Sequence, residues 1–263
     1  MMLQTHNEKI QNQFDLRSSS FDRSVHWVQD AGLVQAHARI AQGKIKNKAE
    51  SEAGKPARSL ELCCGTGAVS RGLKSAGWDV KGVDISAGMV NEAKKYIDAQ
   101  VADVSKLPFA DASFDLVAMR QAYFLLDNGP AALQEAKRVL IPGGAFLLSH
   151  LVPFSAVDAP YLQEVHTVKQ AQMRKFHTTE SLEAELRENG FTVEKKDFVT
   201  VRESVTLWMK EAPELSEATR KKVCDMVLHS PPAYKKLRNV QQTASGEILE
   251  DWNFVLILAR ANT

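Results

Sequence analysis

An acidic residue followed by a glycine turn is the first pattern in this sequence that could do chemistry. Ala57 to Leu62 is a short apolar run that contains Glu61, and Cys63-Cys64-Gly65-Thr66-Gly67 follows it. Glycine lets a ligand approach the backbone closely, because it has no Cβ and tolerates unusual dihedral angles. Helical spacing from Ala68 to Gly77 comes next, and a helix N-terminus offers unpaired N–H groups. The pattern indicates a strand, a tight turn and a helix.

Three kinds of ligand could use such a turn: a phosphate, a dinucleotide or another adenosyl compound. A phosphate-binding P-loop needs Lys and then Ser or Thr after its second glycine, which Ala68-Val69 does not provide. The dinucleotide fingerprint G-x-G-x-x-G needs a third glycine where Ser70 stands. An acidic strand end also suits an amine-bearing ligand better than a pyrophosphate. For this stretch alone, a plain strand-to-helix turn remains an alternative.

Further acidic residues lie at the ends of the next predicted strands. Asp84 lies near the end of Trp78–Ile85, where an acid in an open α/β sheet can bind two ribose hydroxyls. Asp103 follows a third predicted strand, and Phe114–Arg120 predicts a fourth. Pro130 to Leu140 predicts a helix, and after a Pro-Gly-Gly turn a fifth strand is predicted from Ala145 to His150.

With these residues the chain resembles the class I S-adenosylmethionine-dependent methyltransferases. Within that family it is most similar to small-molecule enzymes such as the ubiquinone and menaquinone C-methyltransferases. Cys63 stands where the family usually has glycine. The matching stretches run in family order over about residues 57 to 150 and are Glu61–Gly67, Gly82–Ser86, Ala102–Val104, Leu107–Phe109, Ser113–Val117 and Arg138–Gly144.

The resemblance implies one domain over residues 1–263 with an α/β fold. The expected sheet is doubly wound, Rossmann-like and seven-stranded, and its last two strands form an antiparallel hairpin. The implied reaction uses S-adenosylmethionine, releases S-adenosylhomocysteine and methylates a small-molecule acceptor. The residues expected to bind the cofactor are Glu61, Cys63, Gly65, Gly67, Asp84, Ile85, Met89, Asp103, Val104 and Arg120.

Methyl transfer from a sulfonium is an in-line displacement, so the protein must align the reactants and exclude water. An oxygen or carbon nucleophile often also needs a base. The candidates near the expected site are Arg120, Tyr123, His150 and His177, and we predict the first three as catalytic. Each has a simpler interpretation, because a lone histidine is often structural, Arg120 could only position the cofactor and Tyr123 could only pack. The spacing of histidines and acids does not indicate a metal site.

Three further segments are predicted to surround the ligand. Residues 1–42 are expected to form one or two helices, with His26 and Trp27 near the first and Leu33 to Gln42 as the second. They would make a flap over the cleft or pack on the sheet edge. Residues 151–178 and 204–246 are predicted insertions that cap the acceptor pocket. Packing in the core or a dimer contact are the alternatives for the second insertion.

The connector and the composition complete the prediction. Residues 43–56 are polar and contain Gly and Pro, so we expect a solvated connector. A net charge of +1 argues against a dedicated nucleic-acid-binding protein. The 3 cysteines indicate a reducing compartment, and no apolar run is long enough to span a membrane. We therefore expect a cytoplasmic protein that is a monomer or a homodimer.

Two other functions remain open at this point. The first is a protein with the same fold that binds an adenosyl ligand without catalysis, which Cys63 and the lack of an obvious base favour. The second is a nicotinamide-dependent oxidoreductase, which Ser70 disfavours.

Overall fold

A mostly parallel β-sheet forms the centre of the computed structural model, which describes residues 4–51 and 56–262. The strands are β1 (Arg58–Leu62), β2 (Asp79–Asp84), β3 (Asp98–Val101), β4 (Phe114–Arg120), β5 (Leu140–Val152), β6 (Phe191–Ser204), β7 (Gln241–Gln242) and β8 (Ile248–Ala261). Their order is β3-β2-β1-β4-β5-β8-β6, and the short β7 pairs with β8. β8 is antiparallel to both β5 and β6, while β1 to β5 are parallel. The predicted fold class, including the antiparallel last hairpin, is confirmed.

Helices cover both faces of this sheet. They are α1 (His6–Arg17), α2 (Phe21–Ser24), α3 (His26–Gln29), α4 (Ala31–Ser51), α5 (Ala68–Ser75), α6 (Ala87–Ala93), α7 (Gly129–Val139), α8 (Ala159–Lys169), α9 (Thr179–Glu188), α10 (Val205–Lys210), α11 (Glu217–Leu228) and α12 (Pro232–Leu237), with a 3-10 turn at Tyr123–Leu125. Among the described residues, no helix is both long enough and apolar enough to cross a bilayer.

Strand β4 shows why the sheet is buried on both faces. Its side chains alternate between two core layers, as the two-residue period of a strand requires. Leu116 and Ala118 belong to the layer that contains α4 and α5. Val117 and Met119 belong to the layer that contains α7 and α9. A strand covered in this way has only its ends available for a ligand, so any site must lie at an edge.

The strand register brings the ends of four strands to one edge. Leu62 pairs with Val83 of β2 and with Met119 of β4. Asp84, the last residue of β2, pairs with Val101, the last residue of β3. The side chains that follow these positions therefore meet at the carboxyl edge of the parallel strands, where open α/β sheets bind ligands.

The structure corrects the predicted N-terminal region and the fifth strand. Four helices precede β1 instead of one or two, and the unpredicted α1 begins at a capping box between Thr5 and Glu8. α4 runs through most of the predicted connector to Ser51, because its Lys, Ala, Glu and Gln residues are good helix formers. Residues 52–55 of that connector lie outside the described residues. β5 begins at Leu140, earlier than predicted, and includes the Pro-Gly-Gly segment.

The segment at residues 204–246, predicted as an insertion, holds three helices, α10 to α12. Trp208 and Met209 are buried in the main core, and the Trp208 ring lies 4.9 Å from the ring of Trp252 on β8. The segment is therefore part of the folded core as well as a candidate cap.

A buried ionic cluster attaches this segment to the sheet. Arg238, at the end of α12, is fully buried and lies 3.2 Å from Asp158 and 3.1 Å from Glu250. The Tyr234 hydroxyl and the Trp252 indole N–H also donate to Glu250. The cluster links α12, β8 and the loop before α8, so it fixes both insertions relative to the sheet.

Replacing Arg238 with methionine should therefore destabilise the protein strongly. Arg238→Met leaves Asp158 and Glu250 buried without their cation, which should cost about 3–5 kcal/mol of unfolding free energy in urea titrations. Arg260→Met is the matched control, because Arg260 is 43% exposed and pairs with the partly exposed Glu194. The control should lose less than about 1 kcal/mol. Equal losses in the two variants would contradict this account of the cluster.

Candidate functional site

A large cavity lies at the carboxyl edge of β1 to β4. It holds about 890 Å³ of space, part of which is open to solvent, so it can accommodate a nucleoside-sized ligand. The predicted cofactor residues that line it are Glu61, Cys63, Gly65, Asp84, Ile85, Met89, Asp103, Val104 and Arg120. The sequence analysis therefore located the cavity, and the contacts below describe what each residue does there.

Glu61 is buried next to the last residue of β1. Its Oε2 accepts hydrogen bonds from the backbone N–H of Ser70, at 2.9 Å, and from the Ser70 hydroxyl. Burial raises the pKa of Glu61 to about 7, although the Ser70 hydrogen bonds and the charge of Arg120 oppose this rise. Ser70 replaces the third glycine of the dinucleotide fingerprint, and its side chain holds the Glu61 carboxylate in place.

Asp84 ends β2 and connects two turns. Its Oδ2 accepts from the N–H of Gly65 and its Oδ1 accepts from the N–H of Ser86, both at 2.9 Å. Burial raises the pKa of Asp84 to about 6, against the effect of these two hydrogen bonds. Ser86 is the N-cap of α6, and its Oγ accepts from the N–H of Met89 at 3.1 Å.

Asp103 lies just beyond the end of β3. Its Oδ1 accepts from the N–H of Ser105 at 2.8 Å, and its Oδ2 accepts from the side-chain amide of Asn7 at 2.9 Å. Asn7 lies on α1 and lines the same cavity. The sequence analysis did not identify Asn7, because it did not predict α1; the capping box at Thr5 and Glu8 was the available signal.

An apolar wall faces these carboxylates. Ile85, Met89, Ala102, Val104 and Leu126 line this part of the cavity. A flat, weakly polar ring would bury its faces well against such a wall, while a carboxylate at the rim accepts hydrogen bonds from amine or hydroxyl groups on its edge. The combination suits an adenosyl group.

The turn after β1 requires unusual backbone angles. Cys63, Gly65 and Gly67 have φ values of 51°, 52° and 82°, in the left-handed region that favours glycine. Gly65 lines the cavity. Gly67, also predicted to bind the cofactor, is not among the residues that line the cavity, and a Cβ at this position would lie 3.6 Å from the Cβ of Ala93 on α6. Glycine at this position allows both the turn and the packing of α6.

Arg120, the last residue of β4, lines the same cavity as Glu61 and interacts with its charge. Its guanidinium lies 4.9 Å from the ring centroid of Trp27 and donates to the carbonyl of Val28 at 3.3 Å. Burial lowers the pKa of Arg120 to about 10, so the side chain stays charged at neutral pH. Glu61 and Arg120 thus supply opposite charges at one end of the cavity, an arrangement that suits a zwitterion with an ammonium and a carboxylate group.

Tyr123 and His150, two of the three residues predicted as catalytic, do not line this cavity. Gln121 has a φ of 49° and turns the chain after β4, and the Tyr123 hydroxyl then donates to Glu185 of α9 at 3.1 Å. His150 lies with His177 in a small pocket that shares Gln121, Phe124 and His166 with the second cavity described below, and burial lowers the pKa of His150 to about 3. A position near the end of a strand was therefore not enough to place Tyr123 or His150 in the main cavity.

A second cavity of about 460 Å³ adjoins the first. The residues that line both are Phe14, Phe21, Trp27, Gln121 and Leu125. The second cavity is also lined by Arg17, Val25, Phe124, His166, Gln170, Trp208 and Trp252. Arg17 comes from the N-terminal region, His166 from the first predicted insertion and Trp208 from the second. The sequence analysis assigned no role in a site to Arg17, His166 or Gln170.

The N-terminal region is hydrogen-bonded across the main cavity. Asp15 of α1 accepts from the N–H of Gly88 at 2.9 Å and from the Ser86 hydroxyl, which joins α1 to the start of α6. The Thr66 hydroxyl of the glycine turn donates to Asp22. Within the described ranges no three His, Cys, Asp or Glu side chains are grouped so that they could hold a metal ion.

Comparison with known proteins agrees with this geometry. Residues 60–148 match the family model described as "Methyltransferase domain". The chain is 32% identical over 157 residues to a malonyl-[acyl-carrier protein] O-methyltransferase of Pseudescherichia vulneris, covering 59% of this chain and 55% of the relative. It is 37% identical over 114 residues to a demethylmenaquinone methyltransferase of Beutenbergia cavernae, covering 40% of this chain and 48% of the relative. The chain thus spans about half the length of these curated relatives.

A solved structure from Bacillus halodurans, described provisionally as a methyltransferase, has the same fold. It superposes with a TM-score of 0.69 at 18% identity, covering 84% of this chain and 100% of the other. At that identity the comparison establishes the fold alone. The predicted resemblance to class I S-adenosylmethionine-dependent methyltransferases, including the menaquinone type, is confirmed by the family match and the relatives together.

The buried Glu61 carboxylate should make stability depend on pH. A raised pKa means that the folded protein holds a proton that the unfolded chain releases, so this contribution is present below the unfolded pKa and is lost as pH rises through about 7. Glu61→Gln keeps an oxygen acceptor for Ser70 and carries no charge. We therefore expect the stability of Glu61→Gln relative to the natural protein to increase by on the order of 1–3 kcal/mol between pH 5 and pH 8.

Urea denaturation of the ligand-free proteins at both pH values measures this difference. Glu164→Gln, at an exposed position on α8, is the matched control and should show no such change. A pH-independent difference between Glu61→Gln and the natural protein would contradict the assignment.

Proposed function

We propose that this chain, whose residues 60–148 are a methyltransferase domain, transfers a methyl group from S-adenosylmethionine to a small-molecule acceptor. One observation carries the proposal: Glu61, Asp84 and Asp103 follow three adjacent parallel strands and line one cavity around a glycine turn. Their carboxylates face an apolar wall, so the cavity offers acceptors for the polar edges of an adenosyl compound and a surface for its flat ring.

The residues present fit the parts of this cofactor. Asp84 would accept hydrogen bonds from the ribose hydroxyls, and Asp103 from the adenine amine. Met89 and its apolar neighbours would cover the adenine ring. Glu61 and Arg120 would bind the ammonium and carboxylate groups of the methionine part, because they present opposite charges at the same end of the cavity.

The chain would act by alignment and by excluding water. The cofactor supplies a methyl carbon on a positively charged sulfur, and the acceptor's electron pair displaces the sulfur as a neutral thioether. Phe14, Phe21 and Trp27 line both cavities, so they would enclose the passage between cofactor and acceptor. Bringing two reactants into line in a closed site can account for much of the rate increase of such a displacement.

We further propose that the N-terminal helices α1 to α3 act as a flap and that the two insertions cap the acceptor. The hydrogen bonds of Asp15 and Asp22 to the edge of the cofactor cavity support the flap. The presence of His166 and Trp208 in the second cavity supports the caps. The cysteines Cys63, Cys64 and Cys224 are free, which is consistent with a reducing compartment such as the cytoplasm.

The function is tested by two measurements on the intact protein. Isothermal titration should detect binding of S-adenosylmethionine, and incubation with a broad panel of metabolites should release S-adenosylhomocysteine with at least one of them. Absence of binding near a millimolar concentration would overturn the proposal. Binding without transfer to any member of the panel would instead favour a non-catalytic adenosyl-binding protein. A rise in melting temperature with a nicotinamide cofactor alone would favour an oxidoreductase.

Asp84→Ala should weaken cofactor binding. Without this carboxylate the ribose hydroxyls lose their acceptor in a partly buried site, at a cost on the order of 1–3 kcal/mol, or roughly 10- to 100-fold in affinity. Asp103→Asn should have a smaller effect, because the amide oxygen can still accept one hydrogen bond. Calorimetric titration with S-adenosylhomocysteine measures the affinities of both variants.

Asp98→Ala is the matched control, because Asp98 is exposed at the opposite end of β3 and pairs with Lys81. Asp98→Ala should bind S-adenosylhomocysteine with the affinity of the natural protein. An unchanged affinity in a folded Asp84→Ala protein would show that Asp84 is not the ribose ligand.

A further inference from the structure

The second cavity is in a suitable position to hold the methyl acceptor. It shares Phe14, Phe21, Trp27, Gln121 and Leu125 with the proposed cofactor cavity, so the two cavities adjoin at these side chains. Its volume of about 460 Å³, part of it open, is enough for a molecule of one or two rings. The chemistry of its walls should therefore show which class of acceptor it takes.

Aromatic side chains form most of these walls. Trp208 and Trp252 meet edge to face, with ring centroids 4.9 Å apart and an interplanar angle of 85°. Phe14, Phe21, Trp27 and Phe124 line the same space. Aromatic rings prefer offset or edge-to-face contacts with other rings, so this cavity favours a flat aromatic molecule over a branched or strongly hydrated one.

Arg17 is the charged group in this aromatic cavity. It is 3% exposed, and its Nε is buried without a hydrogen-bond partner. Its Nη1 lies 3.6 Å from Oε1 of Glu214, but Lys169 contacts the same oxygen at 2.9 Å. Burial lowers the pKa of Lys169 to about 8, so at neutral pH two cations share one carboxylate.

A buried positive charge that is not fully compensated is costly, and a bound anion would reduce this cost. The planar guanidinium of Arg17 can donate two parallel hydrogen bonds to a carboxylate, which a lysine cannot do. The Nε of Arg17 is buried without a hydrogen-bond partner, so the contacts of Arg17 within the protein leave its donors unsaturated.

The cavity also provides no effective proton acceptor. Among the described residues that line it, Arg17 and His166 are the titratable ones. Burial lowers the pKa of His166 to about 3, so its ring is neutral and holds a proton weakly. Methyl transfer to an atom that carries an electron pair and no proton would therefore need no residue of this cavity as a base.

We propose, on the basis of the function proposed above, that the acceptor is a small aromatic carboxylic acid held in the second cavity with its carboxylate on Arg17. The aromatic walls bind its ring and Arg17 selects its charge. The proposal concerns the class of acceptor and the residue that recognises it, and it is separate from cofactor binding by Asp84.

Three probes of similar shape test this charge selection. The natural protein, saturated with S-adenosylhomocysteine, is titrated with 2-naphthoate, with its neutral amide 2-naphthamide and with the cation 2-naphthylmethylammonium. Tryptophan fluorescence reports binding, because Trp27, Trp208 and Trp252 line the cavity. We expect 2-naphthoate to bind at least about 10-fold more tightly than 2-naphthamide, and the cation to bind weakest. Equal or tighter binding of the amide or the cation would overturn the proposal.

Arg17→Gln should then abolish the preference for the carboxylate, bringing the ratio of the two affinities to about 1. It should leave S-adenosylhomocysteine affinity within a few-fold, because Arg17 does not line the cofactor cavity. The Lys169–Glu214 pair remains in this variant, so the fold keeps a neutralised cluster. Arg23→Gln is the matched control, because Arg23 is exposed on α2, and it should keep the natural ratio.

If Arg17→Gln still binds 2-naphthoate more tightly than 2-naphthamide, another group selects the carboxylate and the proposed role of Arg17 is wrong. If Arg17→Gln does not fold, the comparison of the three probes on the natural protein still decides the acceptor class. Failure to bind S-adenosylhomocysteine at all would contradict the proposed function. Normal binding of S-adenosylhomocysteine together with a preference for the amide or the cation would contradict this inference alone.

Discussion

The hydrogen bonds of the Asp84 carboxylate hold the cavity together. One oxygen accepts from Gly65 in the turn after β1, and the other from Ser86 at the start of α6. Two separate crossover connections are thereby fixed around one buried acid. The glycine turn keeps its left-handed angles, α6 places Met89 in the cavity wall, and Asp15 of α1 reaches the same helix start. The cost of burying this carboxylate is visible in its raised pKa.

The sheet and the cofactor cavity could be predicted because both depend on short-range patterns. Each of the first three strands is short and has an acid near its end, and a glycine turn follows the first. Parallel strands then bring their carboxyl ends to one edge of the sheet. β4 was predicted with the bounds that it has. Helix α1 was missed because Ile10 is its only buried apolar residue. Its position depends on contacts such as Asn7 to Asp103, which join residues far apart in the sequence.

The second cavity could not be predicted for a related reason. Tyr123 and His150 have suitable chemistry, but Gln121 turns the chain so that Tyr123 faces α9, and His150 lies in a third pocket that borders the second cavity. Arg17 and His166 reach the second cavity from segments that are distant in sequence and have no motif. A burial pattern can indicate that such residues are inside, but it does not indicate which cavity they face.

Cys63 places a thiol in the cavity that is proposed to hold a methylating cofactor. Its backbone takes the angles of the usual glycine, and its side chain lines the cavity proposed to hold an alkylating sulfonium. A thiolate there would compete with the acceptor for the methyl group. Burial, together with the charges of Asp84, Asp103 and Glu61, raises the pKa of the Cys63 thiol well above its ordinary value, so the thiol keeps its proton at neutral pH. Burial of Cys63, reinforced by the carboxylates proposed to bind the cofactor, would thereby also protect the chain from alkylation by that cofactor.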